Sequence, residues 1–151
     1  MTSTLSSRQL MRLQRPDREV AAAISRYILR TELKTPVFLI GCGRSGTTAL
    51  GRALSLNPSI TYLHEPRQLW KSAFPQTDIW SSDAERLQGR LAMSRHDATE
   101  KHAAILRMMF RQQLTRFGGQ TLVEKTPINA FRLEFLDTLF PAASYIFLYR
   151  N

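Results

Sequence analysis

Cysteine and histidine are scarce in this chain, with one Cys and three His among 151 residues. The lone Cys42 excludes an internal disulfide and a multi-cysteine zinc site, and is consistent with a reducing compartment. His64, His96 and His102 are scattered without metal-ligand spacing, so no metal site is expected. No apolar run approaches the roughly 20 residues needed to span a bilayer. The first residues also lack the basic-then-apolar layout of a secretory signal. The start is rich in Arg (Arg8, Arg12, Arg15, Arg18), as a transit peptide would be, but Asp17, Glu19 and Glu32 argue against one. A soluble, cytoplasmic protein is the simpler expectation. Acidic residues are short as well, 12 against 21 basic ones, leaving a formal charge of +9. That balance favours an anionic partner, whether a nucleotide, a polyanionic acceptor, nucleic acid or an acidic membrane surface. Solvated Arg side chains spread along helix faces, such as Arg86, Arg107 and Arg111, account for most of the charge.

What is present fits one globular domain, since 151 residues at 43% hydrophobic composition suffice for a single buried core. Residues 16–33 read as a helix with Pro16 in its first turn and Val20, Ile24, Tyr27 and Ile28 on one face. Residues 36–40 form a short continuous apolar run, the pattern of a buried parallel strand. A glycine-rich loop follows, then Leu50, Ala53 and Leu54 at helical spacing, closed by Asn57 and Pro58. A second strand fits residues 60–63. Residues 65–82, with Pro66, Pro75 and two Trp, read as an irregular loop or lid. Ser94 and Asp97 form a capping-box pattern ahead of a long helix whose apolar face is Ile105, Leu106, Met109, Phe110, Leu114 and Phe117. Gly118 and Gly119 end it. Residues 121–123, 129–140 and 145–149 read as strand, helix and strand. The alternation predicts an α/β fold with a central parallel sheet covered by helices.

The chemistry concentrates in the loop at residues 41–48, Gly-Cys-Gly-Arg-Ser-Gly-Thr-Thr. Gly41 and Gly46 are separated by four residues between a strand and a helix, the frame of a P-loop whose backbone N–H groups form a phosphate-sized nest. Glycine is needed where the backbone must adopt positive φ and let an anion approach closely. The helix start is needed because its unsatisfied N–H groups and dipole favour negative charge. The plainer alternative is an ordinary turn with incidental glycines. A nucleoside triphosphatase loop would carry Lys directly after its last Gly, and that position is Thr47. The cation is Arg44 instead, whose guanidinium can fork onto anion oxygens.

With these residues in view, 36–48 (PVFLIGCGRSGTT) resembles the 5'-phosphosulfate-binding loop of the sulfotransferases, particularly the branch that includes bacterial members and the protein tyrosine sulfotransferases. Three further segments are similar in the same order: YLHEP around Glu65, VEKTPIN around Lys125, and FPAASYIFLYRN ending at Arg150 and Asn151. The resemblance implies a P-loop-containing three-layer α/β/α fold and 3'-phosphoadenosine-5'-phosphosulfate (PAPS) as sulfate donor, with no metal. By the same resemblance Gly43, Arg44, Ser45, Gly46, Thr47 and Thr48 hold the 5'-phosphosulfate, and Arg150 contacts the 3'-phosphate. Glu65 is then the general base, with Lys125 and Arg44 stabilising charge on the transferred group and the leaving phosphate. Each has a plainer alternative: local hydrogen bonds for Thr47 and Thr48, a surface ion pair for Glu65, an ion pair with Glu124 for Lys125. His64 is read as structural, since strand alternation turns it away from Glu65. The loop from Arg67 to Trp80 either covers the acceptor or is packing.

The family pattern continues with a Ser beyond the Arg and usually has Asp where this chain has Asn151. The expectation is therefore a helical extension over residues 1–35 and an incomplete, amino-terminal part of a sulfotransferase domain over 36–151, cut after the fourth strand, with weak or absent activity alone. The acceptor is open among carbohydrate, protein tyrosine, lipid and small molecule. Two rivals stand beside this reading: another P-loop enzyme, such as a kinase or triphosphatase, and a non-catalytic anion- or nucleic-acid-binding module. Thr47 speaks against the first. The lack of any helix-turn-helix, RNA-recognition or zinc-finger pattern speaks against the second, and no nucleic-acid partner is expected.

Overall fold

Four short strands, rich together in β-branched, aromatic and leucine side chains, build one all-parallel sheet: β1 (Val37–Ile40), β2 (Ile60–His64), β3 (Thr121–Lys125) and β4 (Ser144–Phe147), in the order β2-β3-β1-β4. The computed structural model describes residues 35–150. The expected helix at 16–33 and extension at 1–35 lie outside them, save for Thr35. Four helices connect the strands: α1 (Thr47–Leu54), α2 (Arg67–Ala73), α3 (Glu100–Phe117) and α4 (Leu133–Leu139).

Strand alternation sorts the sheet into two faces. Phe38, Leu63 and Glu124 lie in register on one face, where Phe38, Leu63 and Leu122 join one core with Trp70 of α2, Leu106, Phe110 and Leu114 of α3, and Phe135, Leu136 and Leu139 of α4. Burying side chains of this size contributes roughly 1.5–3 kcal/mol each. Aromatic pairs knit the core: Trp70 meets Phe110 edge-on at 6.0 Å, and Phe74 meets Phe135 edge-on at 4.9 Å. On the opposite face α1 rests Gly51 directly against the Tyr62 ring. Helices thus flank the sheet on both sides, as the alternation of the sequence predicts.

Four local expectations differ from the structure. Residues 67–73 form helix α2, followed by a 3-10 turn at Pro75–Thr77, within the segment expected to be irregular. The Ser94–Asp97 capping box caps a separate 3-10 turn, Arg95–Asp97, while α3 starts at Glu100. Phe117 closes α3 as an exposed residue, because the chain turns left-handed at Gly118 and leaves the core there. The expected single helix over 129–140 is a 3-10 turn, Pro127–Phe131, then α4. It breaks at Arg132, whose buried guanidinium is committed elsewhere: it donates to the backbone carbonyls of Thr77 and Leu91, each at 3.0 Å, and of Arg90 at 2.6 Å. Burial pulls its pKa down to about 10, and the charge of Glu124 opposes that shift. Arg132 in effect ties residues 77–91 to the start of α4.

Candidate functional site

The loop after β1 turns tightly at both ends. A Cβ at Gly41 would lie 2.5 Å from the Leu148 carbonyl oxygen and 2.7 Å from Ser45 Oγ, so only glycine fits. Gly46 has φ 98, and Arg44 takes the left-handed region at φ 69, where a non-glycine residue is uncommon. The first turn of α1 has no acidic residue and no side-chain cap, so its leading N–H groups point into the loop without an internal partner. Ser45 Oγ is buried and has no hydrogen-bond partner. An orphaned hydroxyl beside uncapped amides suits a phosphate or sulfate oxygen. Thr47 is buried as the first residue of α1, and Thr48 follows it.

Two clefts meet at this loop. One, ≈ 360 Å³, is lined by Gly43, Arg44 and Ser45 on one side and by Leu148, Tyr149 and Arg150 on the other. Arg44 and Arg150, more than a hundred positions apart in sequence, therefore face one cavity. The second cleft, ≈ 430 Å³, contains Glu65 and shares Cys42 and Gly43 with the first. Parallel β1, β2 and β3 all end at this edge of the sheet, which is where open α/β folds collect their sites.

Glu65 follows β2 in the left-handed region, φ 47, and its N–H donates to the Lys125 carbonyl at 2.8 Å. This kink brings the carboxylate onto two cations. Lys125 Nζ donates to Oε1 at 2.8 Å and Arg67 donates to Oε2 at 2.7 Å. The Lys125 side chain is 3% exposed and that of Glu65 23%. The Lys125 hydrogen bond, with Arg67 adding to it, holds Glu65 below the usual carboxylate range against a smaller opposing effect of burial. Strain at a non-glycine residue, maintained by charge on both sides, is a feature of functional positions. Arg67 also lies over the Trp80 ring, 4.3 Å from its centroid.

Lys125 therefore pairs with Glu65 and not with Glu124. Alternation along β3 sends Glu124 to the opposite face, where it is fully buried and accepts hydrogen bonds from Trp70 Nε1 at 3.0 Å, Asn129 Nδ2 at 3.0 Å and Thr126 Oγ1. Burial pushes its carboxyl up to about 7, against the pull of those three donors. Sequence reasoning passed over Glu124, although a carboxylate at the core-facing position two beyond Leu122 was a readable signal. His64 is exposed and sits 3.3 Å from Tyr62 Oη, lining neither cleft. Among the described residues no three of His, Cys, Asp and Glu converge as metal ligands, and no helix is long and apolar enough to cross a membrane.

A glycine-rich loop between strand and helix, an edge-of-sheet carboxylate clamped by a buried lysine, and an all-parallel α/β sheet define a P-loop-like α/β architecture. Residues 36–151 match the sulfotransferase family, and the chain belongs to it. It is 34% identical over 118 residues to nodulation protein NoeE of Sinorhizobium fredii, a match spanning 76% of this chain and 28% of that protein. The chain thus corresponds to less than a third of the length of this curated relative. Among solved structures it is similar to sulfotransferase STF1 from Mycobacterium tuberculosis, with a TM-score of 0.44 and 19% identity, covering 87% of this chain and 50% of that one.

Proposed function

We propose that residues 36–151 are the amino-terminal part of a sulfotransferase domain that binds PAPS and passes its sulfuryl group to an acceptor hydroxyl or amine. The single observation that carries this is the Glu65–Lys125 pair at 2.8 Å, set in a cleft that shares Cys42 and Gly43 with the loop cleft. The family implies a nucleotide sulfate donor, which when bound supplies an SO3 group on a good leaving phosphate. Backbone N–H groups of Gly43, Arg44 and Gly46 to Thr48, with Ser45 and Thr48 hydroxyls and the Arg44 guanidinium, would hold the 5'-phosphosulfate and take up charge developing on the phosphate. Arg150 would contact the 3'-phosphate from across the cleft.

Glu65 is assigned the general base. Held ionised by Lys125 and Arg67, it takes the acceptor's proton as the acceptor oxygen bonds to sulfur and the S–O bond to the 5'-phosphate breaks. The products are a sulfate ester from a hydroxyl, or a sulfamate from an amine, and adenosine 3',5'-bisphosphate. Once Glu65 is protonated its hold on Lys125 weakens, and the ammonium is available to the leaving oxygen. The lone Cys42 fits a cytoplasmic setting.

The test is calorimetric titration of the chain and its Arg44→Ala variant with adenosine 3',5'-bisphosphate and, separately, with magnesium-ATP. Metal-independent binding of the bisphosphate, weakened about tenfold or more in the variant (~1.4 kcal/mol), is expected. Preference for magnesium-ATP would turn the assignment toward a kinase or triphosphatase.

A further inference from the structure

By spacing alone Arg107 and Arg111 are ordinary solvated cations of a helix face, yet in the fold both line one cavity of ≈ 190 Å³. It opens beside Pro36 and Ala143, where β1 and β4 begin, at the opposite end of the sheet from Glu65 and the glycine loop. Strand β1 separates the two ends by roughly 13 Å at about 3.3 Å per residue. We propose that this cavity binds a small organic monocarboxylate, with the Arg111 guanidinium receiving the carboxylate and the apolar walls receiving the carbon body. The site is independent of the transferase reading and stands without it.

The two guanidiniums differ in what they hold. Arg107 is committed: Nε and Nη2 donate to the Leu139 carbonyl at 3.1 and 2.9 Å, at the C-terminal end of α4, and Nη1 pairs with Glu100 at 2.8 Å. Arg111, one turn further along α3, has neither hydrogen-bond nor ionic partner among the described residues, and its Nε is buried. A buried donor without an acceptor is rare and costly, and the like charge of Arg107 four residues back adds repulsion. An arginine that merely packed its stem would carry the whole head group out to water. A carboxylate removes both costs, since its two oxygens match the parallel N–H fork of one guanidinium.

Charge and lining narrow the ligand. Glu100 already offsets Arg107, and no acidic side chain lines the cavity, so one positive charge is left uncompensated. That balance matches a monoanion. A divalent sulfate or phosphate would bring a second negative charge out of water with nothing to meet it. Apart from the two arginines and Thr35 the walls are proline, leucine, phenylalanine and alanine, which suit aliphatic or aromatic carbon. The volume lies below the range of about 300–1,000 Å³ typical of drug-sized ligands, which limits the body to a short chain or a single ring.

The walls are also fixed before a ligand arrives, which spares the ordering cost of binding. Phe140 stacks on Phe110 with ring centroids 5.5 Å apart and leans on Phe38 at 5.6 Å. The Ala143 N–H donates to the Phe140 carbonyl at 2.8 Å, and the Ser144 N–H donates to the Pro36 carbonyl at 3.1 Å. Pro36 and Pro141 stiffen the two chain segments at the mouth.

The experiment titrates the full chain by calorimetry with benzoate, its neutral isostere benzamide, and sulfate, in wild type, Arg111→Met and Arg44→Ala. Benzoate is expected to bind at least tenfold more tightly than benzamide or sulfate, to lose at least tenfold in Arg111→Met, and to be unaffected by Arg44→Ala, which removes the cation of the loop cleft. Benzoate should raise the melting temperature of wild type and not that of Arg111→Met. Without ligand, Arg111→Met should melt no lower than wild type, because it removes a cation that the fold leaves unpaired. Ala142→Glu, at an exposed lining position, places a competing carboxylate at the mouth and should abolish benzoate binding too; it serves if Arg111→Met does not fold. No benzoate binding, equal binding of benzamide, or a loss in Arg44→Ala but not in Arg111→Met would overturn the site. Sulfate binding as tightly as benzoate would overturn the carboxylate assignment, and an unliganded Arg111→Met that melts well below wild type would show that the guanidinium serves the fold instead.

Discussion

Glu65 and Glu124 sit at the same edge of one sheet, yet the fold treats them oppositely. Glu65 is partly open, flanked by Lys125 and Arg67, and held below the ordinary carboxylate range. Glu124 is closed off among Trp70, Thr126 and Asn129, with no cation bonded to it, and burial lifts it to about 7. The difference comes from one residue of register. Lys125 follows Glu124 in β3, and the pleat turns the lysine toward Glu65 and the glutamate into the core. The charge with two partners is the one proposed for chemistry. A carboxyl whose partners are neutral donors is kept for structure, fastening α2 to β3 and to the turn at Pro127–Phe131.

The largest effect should follow from breaking the structural half. Glu124→Ala leaves Trp70 Nε1 and Asn129 Nδ2 buried without an acceptor and opens a cavity in the core. Each orphaned donor costs about 1–3 kcal/mol, so a loss of about 3–5 kcal/mol is expected. Urea titration measures it. A loss below about 1 kcal/mol would mean that the network contributes nothing net.

A pH series sharpens the contrast without deleting anything. Glu124 binds its proton more tightly folded than unfolded, so its contribution is fully present below the unfolded carboxylate value and is lost as pH rises through about 7. Stability should therefore fall by about 2 kcal/mol between about pH 5 and about pH 8. Glu65, Asp97 and Glu134 have the opposite sign, with folded pKa values below the ordinary range. Their contributions are lost only as pH falls below the usual carboxylate range, so they do not obscure this window. Glu124→Gln should abolish the slope. Its amide can keep the Trp70 and Thr126 bonds and donate to Asn129 Oδ1, which is buried and has no partner, once that side chain turns over. An unchanged slope in Glu124→Gln would show that another group titrates there.

The same contrast explains what could be read from the sequence. The strand, glycine loop and helix at 37–54 were legible because their signals are local: an apolar run, glycines four residues apart, helical spacing after them. Helix α2 was not, because Pro66 and Pro75 bracket its seven residues and prolines mark breaks. What holds it is non-local, the Trp70 bond to Glu124, 54 positions away. The break at Arg132 was hidden for a similar reason, since its three carbonyl partners lie 41 to 55 positions upstream. Of the site, Arg44, Glu65, Lys125 and Arg150 were picked out by motif, and the structure brings the first and last to one cleft and the middle pair together. Arg67 as the second clamp on Glu65 was not. Two residues from Glu65, it reaches back only because Glu65 is left-handed, a conformation no side chain in the segment advertises.

Arg67→Ala is the mildest way to test the open half. The Arg67 side chain is about half exposed, and ion pairs at such sites contribute about 0.2–1 kcal/mol. Stability should change by less than about 1 kcal/mol, and only above the pH at which Glu65 ionises, since a lowered folded pKa contributes nothing once both states are protonated. The informative readout is the carboxyl titration of Glu65 followed by NMR. Lys125 is the stronger of its two clamps and remains in the variant, so the midpoint should move upward while staying below that of an unpaired carboxylate. A midpoint that does not move would leave Glu65 governed by Lys125 alone and reduce Arg67 to a support for Trp80. A midpoint that rises to the unpaired value would mean that the buried lysine holds Glu65 only through Arg67, and the division of labour between the two glutamates would have to be redrawn around that arginine.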